Sequence, residues 1–172
     1  MAFAGRSNAG KSSTLNTITA QGKLARTSRT PGRTQLINYF ALGNNRYLVD
    51  LPGFGYAKVA RNIKSQWDEL LDCYLRQRRS LRGIVLVSDI RHPLSEFDQQ
   101  MIIWAADADI PLLLLLNKAD KFNRGPALTM LAQVKTRLEQ QLLSHVDVQL
   151  FSALRAQGVD EVRAWLDARL AE

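Results

Sequence analysis

The sequence predicts a three-layer α/β fold: a mostly parallel six-stranded sheet with one antiparallel edge strand and helices on both faces. Three observations carry this. Runs rich in Val, Ile and Leu alternate with longer segments of helical period. The apolar runs are continuous, as in strands buried on both faces. A single hairpin signal interrupts the alternation. No repeat, low-complexity tract or long linker divides the 172 residues, so the chain reads as one domain.

Residues 2–4 are the stub of a first strand, followed by a glycine loop and a helix predicted over 11–19. Two strand-like runs, 34–42 and 46–50, are joined by Gly43-Asn44-Asn45 and form the hairpin that reverses one edge strand. A helix is expected over 63–79. Residues 83–89 and 111–117 read as fully buried strands on either side of a helix over 96–108. A helix over 126–143 leads to a strand at 146–151. In the last helix, 159–170, Val159, Val162, Leu166 and Leu170 recur at helical spacing. Ligands of such sheets sit outside the carboxyl ends of the strands, where all the motifs below fall.

With 46% hydrophobic and 23% charged residues, the composition excludes a disordered chain. The longest apolar run, 110–116, is far short of the roughly 20 residues a membrane-spanning helix needs. The N-terminus carries no basic-then-apolar secretion signal. The single cysteine, Cys73, has no intrachain partner and fits a reducing cytoplasm. The net charge of +7 is unevenly spread. Residues 1–91 carry 15 basic and 5 acidic side chains, whereas 92–172 carry 8 and 11. Such asymmetry suggests an anionic partner on the N-terminal half, larger than a nucleotide alone.

Gly5-Arg6-Ser7-Asn8-Ala9-Gly10-Lys11-Ser12 fits G-x-x-x-x-G-K-[ST] between a strand and a helix. Its glycines let backbone N–H groups approach phosphate oxygens; Lys11 can reach the β- and γ-phosphates and the Ser12 hydroxyl can hold Mg²⁺. Asp50-Leu51-Pro52-Gly53 ends the next parallel strand. A carboxylate there can orient the water shell of the magnesium, and the Gly53 N–H can meet a γ-phosphate. In Thr30-Pro31-Gly32-Arg33-Thr34, a threonine hydroxyl, Thr34 above all, can complete the magnesium shell when a γ-phosphate orders the loop. Residues 26–34 are therefore a candidate switch.

Asn117-Lys118-Ala119-Asp120 follows the most apolar strand. The Asp120 carboxylate can accept two hydrogen bonds from guanine N1–H and the exocyclic amine, a donor pair adenine lacks. Asn117 can bond the ring edge and brace the phosphate loop, and the Lys118 stem can cover one face of the base. Phe151-Ser152-Ala153 ends the following strand, where backbone N–H groups can meet the guanine carbonyl.

With these elements in order, the chain resembles the Ras-like P-loop GTPases related to translation factors. Within them it is most similar to the EngB/YihA (YsxC) family of bacterial ribosome-biogenesis GTPases. The matching text runs over 2–13, Ser28-Arg-Thr-Pro-Gly-Arg-Thr-Gln35-Leu36-Ile-Asn38, Asp50-Leu-Pro-Gly-Phe-Gly-Tyr56, Asp89-Ile-Arg-His-Pro-Leu94 and Asn117-Lys-Ala-Asp-Lys121. The resemblance implies a G domain that binds GTP and GDP through the phosphate-loop residues up to Ser13, the switch residues Gly32, Arg33, Thr34, Gln35 and Leu36, the D-x-x-G segment and the base loops. Ser12 and Thr34 would hold magnesium, with Asp50 acting through a water. It further implies a cytoplasmic switch in assembly of the large ribosomal subunit, with ribosomal RNA as a partner. A link to cell division and septation is implied as well. A monomer with no membrane partner is expected. Two departures stand out. Family members carry an extra segment before A-F-A-G-R-S-N, so the first strand is expected to be cut short here. The family often has Thr at the position of Asn117.

Many GTPases place a Gln directly after the glycine of D-x-x-G to orient the attacking water; here Phe54 stands there, which predicts slow intrinsic hydrolysis. Asn8 matches the position where related GTPases with this substitution coordinate K⁺, and it is equally readable as a simple loop former. Lys11, Thr34, Gly53 and Asn8 are thus the catalytic candidates. His92 reads as a structural or partner contact, because phosphoryl transfer is mostly positioning; His145 and Cys73 lack metal-ligand neighbours in sequence and read as structural. Trp67, Tyr74, Leu70 and Leu71 suit core-facing helix positions. Arg76, Arg78, Arg79 and Arg82, with Lys23, Arg26, Arg29, Arg33, Lys58, Arg61 and Lys64, form a candidate RNA footprint. Two other classes stay open: an essentially non-catalytic, nucleotide-gated RNA-binding module, favoured by Phe54, and a P-loop kinase, disfavoured by the Asn117–Asp120 motif.

Overall fold

The structure, a computed structural model, describes residues 1–25, 37–53, 80–141, 143 and 146–171. Its strands are β1 (Ala2–Gly5), β2 (Asn38–Gly43), β3 (Arg46–Asp50), β4 (Ile84–Asp89), β5 (Leu112–Asn117) and β6 (Asp147–Leu150). The helices among the described residues are α1 (Lys11–Ile18), α2 (Glu96–Asp107), α3 (Arg124–Gln140) and α4 (Val159–Leu170), with a 3₁₀ turn at Ala119–Lys121. The strands form one six-stranded sheet in the order β2-β3-β1-β4-β5-β6. Only the β2–β3 pair is antiparallel. The expected architecture, including the reversed edge strand, is therefore found.

Why the apolar runs are continuous is plain from the two cores. Ala2, Ala4, Ile84, Leu86, Leu112, Leu114 and Leu116 point to one face, packed on Met101, Ile102 and Ala105 of α2 and Val134 and Leu138 of α3. Phe3, Val85, Val87, Leu113 and Leu115 point to the other, packed on Leu15 and Ile18 of α1 and Val162 and Leu166 of α4. Successive strand side chains alternate between faces, and both faces are dry, so the inner positions of β1, β4 and β5 are mostly apolar.

Element ends differ from the sequence reading in instructive ways. The helix expected from Pro126 begins at Arg124. Pro126 sits in the first turn, where its missing N–H has no intrahelical acceptor to lose. The same helix stops at Gln140 rather than 143, because the N–H groups of Gln141 and Leu143 both turn back to the Leu138 carbonyl, at 3.1 and 2.9 Å. At the hairpin, Asn44 and Asn45 have φ of 50° and 58°, the doubly left-handed turn that matches strand twist. The expected helix over 63–79 and the start of the hairpin run at 34–36 lie outside the described residues. No described helix is long and apolar enough to cross a membrane.

β1 is the central constraint on placement. It pairs with β3 on one side and β4 on the other, so the chain departs from it in both directions. The crevice at such a switch point lies beyond the carboxyl end of β1, where Gly5 opens the phosphate loop. Register brings Asp50 beside Phe3 and Asp89 beside Asn117, which sets the candidate residues along one edge of the sheet. Leu114, fully buried in β5 between β4 and β6, tests this core. Leu114→Ala is expected to lower unfolding free energy by about 3 kcal/mol, read as a shift in urea midpoint at unchanged slope.

Candidate functional site

The phosphate loop ends on Gly10, whose φ is +96°. A Cβ at this position would collide with the Asn117 side-chain nitrogen, so glycine is required for both conformation and space. Helix α1 starts immediately after it, with no side-chain cap and no acidic residue in its first turn. α2, by contrast, is closed by a reciprocal box in which the Asp98 N–H donates to Ser95 Oγ and the Ser95 N–H donates to Asp98 Oδ2. The first N–H groups of α1 are thus left to bind an anion.

Lys11 and Asp50 form a buried ion pair between the phosphate loop and the end of β3, with only 7% and 3% of each residue exposed. Gly53 lies directly against the phosphate loop: a Cβ built on it would rest 3.6 Å from the Ser7 Cα. Leu51 and Pro52, which precede Gly53, are buried. Ser12 is half-buried one residue after Lys11, and its hydroxyl, with the Asp50 carboxylate, supplies the hard oxygen donors that suit a magnesium ion. Thr34, Gly32, Arg33, Gln35 and Leu36 lie outside the described residues, as do Phe54, Trp67, Tyr74, Cys73 and His145.

The base loop joins the phosphate loop directly. The Asn117 amide donates to the Ala9 carbonyl at 2.8 Å, and its oxygen accepts from the Ala153 N–H at 3.3 Å. Lys118, at φ 64°, turns its ammonium onto the Asn8 carbonyl at 2.6 Å and onto Asp89 Oδ2 at 2.8 Å. Ser152 Oγ, fully buried, donates to Asp120 Oδ1 at 2.6 Å and accepts the Arg155 N–H at 3.1 Å. Ala119 N–H reaches the Phe151 carbonyl at 3.0 Å. Thr17 of α1 donates to the Ala153 carbonyl at 3.2 Å. Three loops from β1, β5 and β6 are therefore one hydrogen-bonded unit, which holds the Gly5–Ser12 loop beside the Asn117–Asp120 loop.

Three residues with no role in the sequence reading stand at this unit. Leu154 is 74% exposed on the loop that carries Ser152 and Ala153. Its signal was an apolar residue in an otherwise polar or small stretch before Gly158. Asp89 and Arg91 were visible only as part of a family segment. Burial would push the Asp89 carboxyl up, but hydrogen bonds from Arg91 and Lys118 outweigh it and hold the group well below the usual carboxylate range. His92 is exposed, as expected of a surface contact; of the proposed RNA footprint only Lys23 and Arg82 are described, and both are exposed.

A family model described as a 50S ribosome-binding GTPase matches residues 1–118. The probable GTP-binding protein EngB of Xylella fastidiosa (strain 9a5c) is 50% identical over 176 residues, covering 99% of this chain and 87% of that protein. The chain belongs to the EngB family of GTP-binding proteins. Among solved structures, a probable GTP-binding protein engB has the same fold, with a TM-score of 0.78 at 21% identity, covering 99% of this chain and 97% of that one. NFeoB from S. thermophilus bound to GDP.AlF4- and K+ gives 0.65 at 26% identity, covering 95% of this chain and 59% of its own. As an EngB-family P-loop GTPase, the protein takes GTP and GDP as ligands.

The Ser152–Asp120 bond gives a direct test of the base loop. Ser152→Ala leaves the Asp120 carboxylate free to rotate and is expected to weaken GDP binding about 10-fold by calorimetry, the size of one hydrogen bond to a charged group.

Proposed function

We propose that this EngB-family protein is a GTP-hydrolysing switch that acts in assembly of the large ribosomal subunit. The single observation that supports the site assignment is the direct bonding of Asn117 and Lys118 to the Ala9 and Asn8 carbonyls, which favours recognition of base and phosphate within one ligand. In this reading the amides from Ser7 to Ser13 cradle the phosphates and Lys11 moves from Asp50 to the β- and γ-oxygens. Ser12 and Thr34 hold magnesium, with Asp50 acting on it through a water, and the Gly53 N–H meets the γ-phosphate. Asp120 accepts from guanine, the Ala153 N–H is shared between the Asn117 oxygen and the guanine carbonyl, and Lys118 and the exposed Leu154 cover the two faces of the ring.

The description of the matching family model supports a large-subunit partner, and the excess of cations in residues 1–91 supports contact with ribosomal RNA. A cytoplasmic monomer coupled to division and septation completes the proposal. Phe54 in place of a glutamine favours a second reading, a nucleotide-gated ribosome-binding module with almost no turnover. For hydrolysis without that glutamine we assign Asn8 as the ligand of a potassium ion that neutralises charge between the β- and γ-phosphates. Asn8 is exposed in the left-handed region, at φ 66°, and Lys118 engages its main-chain carbonyl.

Two measurements test these assignments. Asp120→Asn is expected to lose GDP binding by at least ~10²-fold and to gain xanthosine diphosphate, because the amide donates where the carboxylate accepted; unchanged GDP affinity would remove the base site. Single-turnover GTP hydrolysis is expected to rise when sodium is replaced by potassium, and Asn8→Ala to abolish the rise. Equal rates in both salts would remove the potassium role. If large subunits also leave the rate at background, the non-catalytic reading is correct.

A further inference from the structure

We propose that Asp89 is a positioning residue for the nucleotide site: its carboxylate holds the Lys118 ammonium against the Asn8 carbonyl, and so sets the lysine stem beside the guanine base. The proposal rests on the base-site assignment above and extends it to Asp89, a residue outside the phosphate and base motifs.

Asp89 is the last residue of β4 and lies in register with Asn117, the last residue of β5. The ladder continues one step further, with the Ile90 N–H on the Asn117 carbonyl at 2.9 Å. The Asp89 backbone is therefore fixed relative to the residue that begins the base motif. Lys118 comes next in the chain and adopts a left-handed backbone, which costs a non-glycine residue roughly 1–2 kcal/mol. Its ammonium donates to the Asn8 carbonyl at 2.6 Å and to Asp89 Oδ2 at 2.8 Å. A lysine side chain carries about 2 kcal/mol of rotamer entropy, and one neutral carbonyl is a weak restraint on a four-carbon stem. A part-buried carboxylate in charge-assisted contact is a stronger one. The lysine then meets the base already ordered, which lowers the entropic cost of binding.

Asp89 is itself held from the other side. Arg91 donates from Nε and from its main-chain N–H to Oδ1, at 2.9 and 3.0 Å, and from Nη2 to Oδ2 at 2.7 Å. This fork fixes the plane of the carboxylate, leaving Oδ2 aimed at Lys118. Asparagine at 89 would keep an acceptor for the Arg91 main-chain N–H and so preserve the turn, while removing the charge that holds the ammonium.

The test is the dissociation rate of a fluorescent GDP analogue, chased with excess GDP, for the full chain and for Asp89→Asn, Lys118→Ala and the double variant, each checked for a native melting transition. Asp89→Asn is expected to release the nucleotide about 10-fold faster and Lys118→Ala at least as fast. The double variant should match Lys118→Ala alone, because Asp89 acts only through that lysine. A purely structural loss would instead multiply with Lys118→Ala, and that result overturns the proposal. Faster release from Lys118→Ala with no change in Asp89→Asn also overturns it and leaves the base site standing. No change in Lys118→Ala removes both.

Discussion

Buried at the carboxyl end of β5, the Asn117 amide gives one N–H to the Ala9 carbonyl and takes the Ala153 N–H on its oxygen, so loops from three strands share one side chain. Most of the site geometry follows from that sharing. Gly10 has no room for a Cβ because the Asn117 nitrogen occupies the space. The phosphate loop therefore closes onto β5 rather than onto its own helix. The loop after β6 is drawn in by the same oxygen and is pinned from below by Thr17 of α1. Losing the side chain would leave a buried carbonyl and a part-buried N–H unpaired, at about 1–3 kcal/mol each, in the place where the ligand-binding loops must keep their relative positions.

The sheet makes such a joint possible. All parallel strands deliver their carboxyl ends to one edge, and their apolar side chains fill both faces. Polar residues gather where the strands run out: Asp50, Asp89 and Asn117 are terminal residues of β3, β4 and β5. A polar group there is half inside the protein, so it must find an internal partner, and the nearest partners belong to neighbouring loops. Ser88, one step inside β4, shows the same pressure by donating to Asp98 Oδ2 of α2 at 2.8 Å.

Much of this was legible in the chain. Unbroken apolar runs such as 112–116 fix strands with two dry faces, and Asn44-Asn45 fixes the hairpin, because each depends on local chemistry. The ends of α3 were not legible, since proline is equally compatible with the first and third positions of a helix and the stop depends on hydrogen bonds returning to Leu138. Lys11, Asn117 and Asp120 are singled out by spacing that matches phosphate- and purine-binding motifs. Asp89 carries no such spacing. Its partner Lys118 is 29 residues away and meets it only because β4 and β5 are adjacent in register. Leu154 was passed over for a related reason: an exposed leucine has meaning only beside the loop it stands on.

Lys11 and Lys118 are each paired with a carboxylate from the neighbouring strand's end: Lys11 with Asp50 and Lys118 with Asp89. The pairs differ in burial, and that difference assigns them different behaviour. Lys118 and Asp89 have 27% and 16% of their side chains exposed, so water shares the charge and the pair can persist while the lysine stem packs on a ligand. Lys11 and Asp50 are almost sealed, with 8% and 5% of their side chains exposed. Taking Lys11 away from Asp50 leaves a buried carboxylate alone, which typically costs about 3–5 kcal/mol. In the proposed reading, a phosphate oxygen that draws Lys11 away favours a second cation beside Asp50, so this ion pair would couple anion binding at Lys11 to cation binding at Asp50.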